Sequence, residues 1–244
     1  MRLRLQKYIA QSGICSRRAA EILIAEGKVL LNQSKVAQIG DSIDPNIDCV
    51  SVEGQTLRPR LKQYFLFHKP AKVLCSKNDP NGLPSLYQLL PSTLQHVFYA
   101  GRLDFMSEGL LILTNDGAFS HQLTHPSFGI QKHYRVWLKS ILNIESFLNT
   151  ITNDGILDSG ELLKAKSARK ISTVKGVDLI EIVLCEGKNR EVRRMIKAHD
   201  GKVIRLKRIT MGPFSLNDLK TGKWRSFNQK ELNFVKHIAD NGRI

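Results

Sequence analysis

The chain has 244 residues, of which 42% are hydrophobic; that is enough for a sizeable core, excludes wholesale disorder, and allows one large domain or a small one plus a medium one. Lys and Arg number 37 against 22 Asp and Glu, a formal net charge of +15. A field of that size attracts polyanions and makes nucleic acid the leading partner, while the lack of a long apolar span or a one-sided basic helix argues against a membrane. The opening MRLRLQKYIAQSG has no apolar h-region, so no secretory leader is expected. Cys15, Cys49, Cys75 and Cys185 are scattered without Cys-x-x-Cys spacing, the pattern of reduced thiols in a cytoplasmic protein and not of a zinc site or disulfide framework.

In chain order, Leu5, Tyr8, Ile9 and Ser12 follow helical spacing and Gly13 ends the pattern. Ser16 caps a second helix with Ala20, Leu23 and Ile24 on one face and Gly27 as a stop. Short β segments follow at 29–32, 35–36 and 49–52, closed by a Glu53-Gly54 turn. Arg17 and Arg18 sit beside a helix N-terminus, the end that disfavours cations; a phosphate between them accounts for their presence better than a merely solvated helix start does. Residues 1–58 thus read as a small domain of their own. Residues 59–63, carrying Pro59, Arg60 and Lys62 without apolar periodicity, form a basic linker to a larger domain at 64–244.

That second part alternates strands and helices. QYFLFHK is a strand, SLYQLLP a short helix capped by Ser85, Leu110–Thr114 a buried strand closed by Asn115-Asp116-Gly117, AFSHQLTH a helix stopped before Pro126, and KHYRVWLK a strand. VDLIEIVLCEG is a further strand, NREVRRMIKAHDG a helix ending at Gly201, and KVIRLKRITMGPFSL an extended basic strand. The lack of a regular βαβ rhythm predicts an α+β protein with a mixed sheet. His121 and His125 are four apart, but no Glu follows His121 and no third ligand is near, so no metal site is expected.

Three features bear on chemistry. Arg102-Leu103-Asp104 places a charged pair in a glycine-bounded segment just before a buried strand, where a carboxylate is either a local cap or a reactive group at the mouth of a cleft. The stretch from Gly187 to Arg208 holds nine basic and two acidic residues, which on so basic a chain suits an RNA-facing surface better than a solvated face. Val192, Met195, Ile196 and Val203 interleave with those charges, so one of Arg193 and Arg194 is expected to face a cleft and pair with a carboxylate. Tyr134, on a strand beside Lys132 and Arg135, is either core or a platform for a stacked base.

The opening residues, with the order helix, Gly, Ser-Arg-Arg, helix, Gly-Lys-Val and the closing VSVEGQTL, resemble the small RNA-binding domain named after small-subunit ribosomal protein four. GRLDFMSEGLLILTNDG, THPSFGIQKHYRV and EGKNREVRRM, with HKPAKVLCS before them, resemble the RsuA/RluB/RluE/RluF family of ribosomal RNA pseudouridine synthases, with the four motifs in the family's order between about Tyr64 and Phe227. The resemblance implies a mainly antiparallel mixed-sheet catalytic domain flanked by helices, and isomerisation of uridine to pseudouridine in ribosomal RNA or a subunit precursor. It makes Asp104 the essential catalytic aspartate, acting as nucleophile or as base, with Tyr134, Arg193, Val192 and Arg102 as active-site support. No cofactor and no metal are implied. RNA contacts are expected from Arg17, Arg18, Lys28, Lys69, Lys132, Lys188, Arg190, Arg194, Arg205, Lys207 and Arg208. Two positions depart from the family's pattern: Lys72 stands where glycine is more usual in Lys-Pro-x-Gly, and Ser107 where threonine is common. The closing LKRITMGPFSLNDLKTGKWRSF is closer to the large-subunit-directed members than to the small-subunit one. A monomer is expected. The competing readings are a non-catalytic ribosome-assembly protein, a tRNA-directed synthase and a small-subunit substrate.

Overall fold

The computed structural model of the protein describes residues 2–77 and 79–241, and the chain divides into two compact units, Met1–Lys62 and Gln63–Ile244. In the first, helix α1 (Leu5–Ser12) buries the four residues whose spacing predicts it. Gly13 ends it at φ 81°, with its N–H on the Ala10 carbonyl; a side chain there would meet the Arg60 guanidinium as well as strain the backbone. Helix α2 (Arg17–Ala25) starts at Ser16, whose hydroxyl accepts from the Ala19 N–H at 3.2 Å. Leu5, Ile9, Ala20 and Ile24 share one core with Val29, Leu31, Val50 and Val52 of a four-stranded antiparallel sheet. Arg60 is tied into this unit, its N–H bonded to the Gln11 carbonyl and its Nε to the Ser12 carbonyl, each at 3.0 Å.

The second unit is built on a nine-stranded sheet. Its main strands are β1 (Tyr64–Lys69), β2 (Ser107–Thr114), β3 (Lys132–Lys139), β4 (Ser167–Val174), β5 (Val177–Leu184), β6 (Lys202–Met211) and β7 (Trp224–Ser226). They lie in the order β4-β5-β3-β6-β2-β1-β7, with Phe98–Ala100 added to β2 and Phe214–Ser215 to β6. All pairings are antiparallel except β2 with β6, in the register Ser107–Leu206 to Gly109–Arg208. The α+β class and the mixed, mainly antiparallel sheet are as the sequence predicts. The parallel joint depends on Gly109: its φ is +115°, and a Cβ there would sit 2.2 Å from the Arg208 carbonyl oxygen.

Helix α3 (Gly117–Thr124) is capped by Asp116, which accepts from the Ala118 and Phe119 N–H groups, and it packs with α6 (Gln229–Asn241) around Phe119, Leu123, Phe214 and Ile238. Helices α4 (Ile144–Asn153) and α5 (Glu191–Lys197) cover β3, β5 and β6 through Phe147, Ile151, Met195 and Ile196. SLYQLLP forms a single 3-10 turn, Leu86–Leu89, with a capping box between Ser85 and Gln88. Sequence patterning does not anticipate α4, α6, β4 or the hairpin Ile156–Asp158 with Glu161–Leu163. For β4 the reason is plain: it is an edge strand exposed at almost every position, so it has no apolar alternation to read.

Candidate active site

Strand β3 alternates strictly, with Lys132, Tyr134, Val136 and Leu138 buried and Arg135 and Lys139 exposed, so Lys132 and Tyr134 must share a face. Tyr134 lies opposite Arg208 of β6, and directly opposed residues project to the same side. These side chains form one wall of a cavity of about 170 Å³, which Asp104, Val192 and Glu191 also line.

Asp104 lies in the turn leading into β2, its carbonyl accepting from the Ser107 N–H at 3.0 Å. Lys69, at the end of β1 and fully buried, holds this turn from below. Its Nζ donates to the carbonyls of Pro70, Asp104 and Ser107 at 3.0, 3.2 and 2.8 Å. Burial brings the Lys69 ammonium down to about 8. Lys72 also braces the turn, its N–H reaching the Phe105 carbonyl at 2.6 Å. Its φ is +60°, so this lysine occupies the left-handed conformation that glycine would adopt without strain.

Arg193 faces Asp104 from α5. Its Nε is 3.8 Å from Asp104 Oδ2, while its Nη2 donates to the Met106 carbonyl at 3.0 Å and to Ser107 Oγ at 3.3 Å. The guanidinium is thus held at the edge of ion-pair range from the carboxylate and not in a bidentate bond. Burial lowers the Arg193 pKa and Asp104 opposes that shift. Arg194, one residue on and so about 100° round the helix, turns away to pair with Asp158 and Glu161. Val192 is buried against the cavity, and Arg102 stands exposed at its mouth. The Tyr134 hydroxyl has no hydrogen-bond partner among the described residues, leaving the ring and its O–H to whatever enters. A half-exposed carboxylate flanked by a guanidinium, an aromatic face and an apolar wall suits acid–base or nucleophilic work on a planar polar ligand.

Residues 63–198 match the family model described as RNA pseudouridylate synthase, and residues 3–46 match the S4 domain. The chain belongs to the RNA pseudouridylate synthase family. Among relatives, it is 36% identical over 233 residues to an uncharacterized RNA pseudouridine synthase of Aquifex aeolicus, covering 95% of this chain and 93% of that one. It is 35% identical over 241 residues to the ribosomal large subunit pseudouridine synthase B of Bacillus subtilis, covering 98% of both. A solved pseudouridylate synthase superposes with a TM-score of 0.66 at 30% identity, over 95% of this chain and 98% of that one.

Within the second unit of this pseudouridine synthase the residues expected to touch RNA fall in different environments. Lys69 is a correction: enclosed by three backbone carbonyls, it offers no charge to a phosphate. Lys132 and Arg208 are likewise buried, Lys132 Nζ donating to the Ile130 and Cys185 carbonyls at 3.0 and 3.2 Å, and both belong to the cavity wall. Arg205 and Lys207 lie opposite Trp137 and Arg135 on the other face of the sheet. Arg205 stacks 4.7 Å over Trp137 and pairs with Glu108 at 2.6 Å. Arg194 is neutralised by its two carboxylates, and Lys188 pairs with Glu186 at 2.5 Å. Lys28 pairs with Glu26 and Glu53. Exposed cations remain at Arg17 and Arg18 in the first unit and at Arg102 and Arg190 by the cavity. Sequence reasoning missed Glu191, a buried acid on the cavity wall; its one legible signal is a carboxylate in a run of basic residues.

His121 and His125 stack on each other at 4.9 Å, and no group of three metal-ligating side chains occurs among the described residues. The four cysteines are free. No helix of the described residues is long and apolar enough to cross a membrane.

Proposed function

We propose that this enzyme isomerises a specific uridine of large-subunit ribosomal RNA, with Asp104 as the essential group. The observation that carries the reading is the half-exposed Asp104 carboxylate in the cavity, with Arg193 at 3.8 Å and Tyr134 and Val192 on the walls. The reaction breaks the N1–C1′ bond, turns the detached uracil and joins C5 to C1′; C5 gives up its proton and N1 gains one. Substrate and product contain the same atoms in the same oxidation state, so the conversion calls for neither an electron acceptor nor a group donor. An ionised carboxylate serves either as nucleophile at C1′ or as base on the sugar. Tyr134 stacks on the base, and Val192 closes the apolar side.

To reach the cavity the uridine must leave its stack, at about a few kcal/mol. Phosphate contacts from exposed cations, Arg17 and Arg18 among them, offset that cost. The large-subunit assignment is supported by the Bacillus subtilis relative, whose name specifies that subunit. The reading includes a monomer acting in the cytoplasm on ribosomal RNA or a subunit precursor.

The test is tritium release from RNA labelled at uridine C5, since C5 loses its hydrogen in the defining step. Wild type is expected to release tritium from large-subunit but not small-subunit RNA, and Asp104→Asn to release none while still binding. Release by Asp104→Asn would remove the aspartate assignment. Release from small-subunit RNA alone would move the substrate.

A further inference from the structure

Two buried side chains on the cavity wall are each anchored by one atom and leave another bare. Glu191 is 3% exposed; its Oε2 accepts from the Lys188 N–H at 3.0 Å, while its Oε1 is buried without a hydrogen-bond partner. Arg208 is 2% exposed; its Nε donates to the Leu110 carbonyl at 2.8 Å, while its Nη2 is buried without one. Buried polar atoms in native proteins are nearly always paired, so a bare acceptor and a bare donor on two side chains of one cavity wall point to a ligand that supplies both complements.

We propose that Glu191 Oε1 accepts the N3–H of the target uracil while Arg208 Nη2 donates to an adjoining ring carbonyl, and that this pair holds the base as it turns. The inference rests on the pseudouridine-forming reading above. Uracil presents C2=O, N3–H and C4=O along one edge, and that pattern is symmetric about the line from N3 to C6. A half-turn about this line exchanges N1 with C5 and O2 with O4; of the turns that bring C5 to C1′, it is the one that leaves N3–H where it was. One fixed acceptor therefore serves the detached base before and after the turn. Arg208 meets O2 in one orientation and O4 in the other. The ring is held without being locked.

The same geometry selects the base. Cytosine has a lone pair at N3 and an amino group in place of O4, so it turns an acceptor towards the carboxylate. The groups facing Glu191 suit the role. Burial raises its pKa to about 7 and Glu186 reinforces the shift, while the Lys188 N–H, the Lys188 ammonium and Lys132 oppose it. A donor arriving with the base favours the ionised form.

The experiment first maps the uridine modified by the wild type, then compares RNAs with uridine or N3-methyluridine at that position. N3-methylation removes the donor and fills the space before Glu191. Wild type is expected to convert the methylated RNA at least about 100-fold more slowly, the scale on which sites reject a substrate lacking a designed hydrogen bond. Glu191→Ala is expected to slow uridine at least about tenfold and to compress the preference for uridine over N3-methyluridine by a similar factor, because the shortened side chain admits the methyl. A merely structural role for Glu191 would slow both RNAs alike, and an unchanged ratio overturns the proposal. So does equal conversion of both RNAs by the wild type.

Should Glu191→Ala not fold, Glu191→Gln keeps the volume. It is expected to strengthen inhibition by the RNA with cytidine at the mapped position, since an amide can donate to the cytosine ring nitrogen; unchanged inhibition overturns the proposal. A wild type that modifies no RNA would instead sink the underlying reading.

Discussion

The two units use arginine in opposite ways. In the first, Arg17 and Arg18 stand exposed at the start of α2 without an ion-pair partner among the described residues. In the second, Arg193 and Arg208 are held by the Met106 and Leu110 carbonyls; Arg193 turns its Nε to Asp104 at 3.8 Å, and Arg208 keeps a buried Nη2 without a hydrogen-bond partner. An exposed cation is screened by salt and adds affinity to any polyanion, whatever its sequence. A buried guanidinium has lost its water and fixes one geometry. The exposed and the buried arginines therefore stand in different units of the chain, and each kind can be perturbed alone.

The largest separation is expected at Asp104. Asp104→Asn should lower tritium release by roughly 1,000-fold or more, as loss of a catalytic acid–base or nucleophilic group does, with RNA affinity by filter binding within about twofold. Affinity falling as far as activity would break the division. At the joint that carries Asp104 and Arg208, Gly109→Ala drives a Cβ onto the Arg208 carbonyl. It should destabilise the second unit by about 3 kcal/mol or more in chemical denaturation, while the first unit keeps its own transition.

Glu191 sharpens the contrast through pH. The folded protein keeps this carboxyl protonated up to about pH 7, whereas the unfolded chain loses the proton near its ordinary value. Its stabilising contribution is full at low pH and falls as pH rises through about 4.5 to 7. Glu191→Gln, a neutral isostere, should therefore be more stable than wild type at pH 8 by about 1–3 kcal/mol and barely different at pH 5. An equal gain at both pH values would mean that burial is not what raises this acid. The smallest effect belongs to the first unit. Arg17→Ala with Arg18→Ala should weaken RNA binding several-fold and lower the salt dependence of log K by about 1.5, with turnover at saturating RNA unchanged.

Much of the molecule was legible because its signals are local. Leu5, Tyr8, Ile9 and Ser12 share a face since a helix repeats every 3.6 residues, and Gly13 and Ser16 mark ends whose caps are short-range bonds. KHYRVWLK was legible as a strand, and which of its residues share a face came with the burial pattern of β3. The segment around Asp104 could be singled out because a charged pair between glycines, just ahead of a fully apolar strand, has no simple packing role. Elements α4, α6 and β4 were not read, because what holds them is contact with distant strands or the edge of a sheet.

By itself, then, the sequence determined the class of the fold, the small basic first unit and the stretch that holds the carboxylate. The tertiary structure decided the destination of most of the cations. Lys69 became a buried clamp on the Asp104 turn. Arg193 was turned toward Asp104 and Arg194 toward Asp158. Arg208 was sent into the cavity and Arg205 and Lys207 to the opposite face of the same strand. Glu191 was left as a bare acceptor. The reason is physical: a lysine or arginine carries the same charge and the same long stem wherever it sits, and whether it meets water, a carbonyl or a carboxylate depends on which distant strand lies beside it. Here that was set by the parallel joint of β2 and β6, which pairs residues about a hundred positions apart.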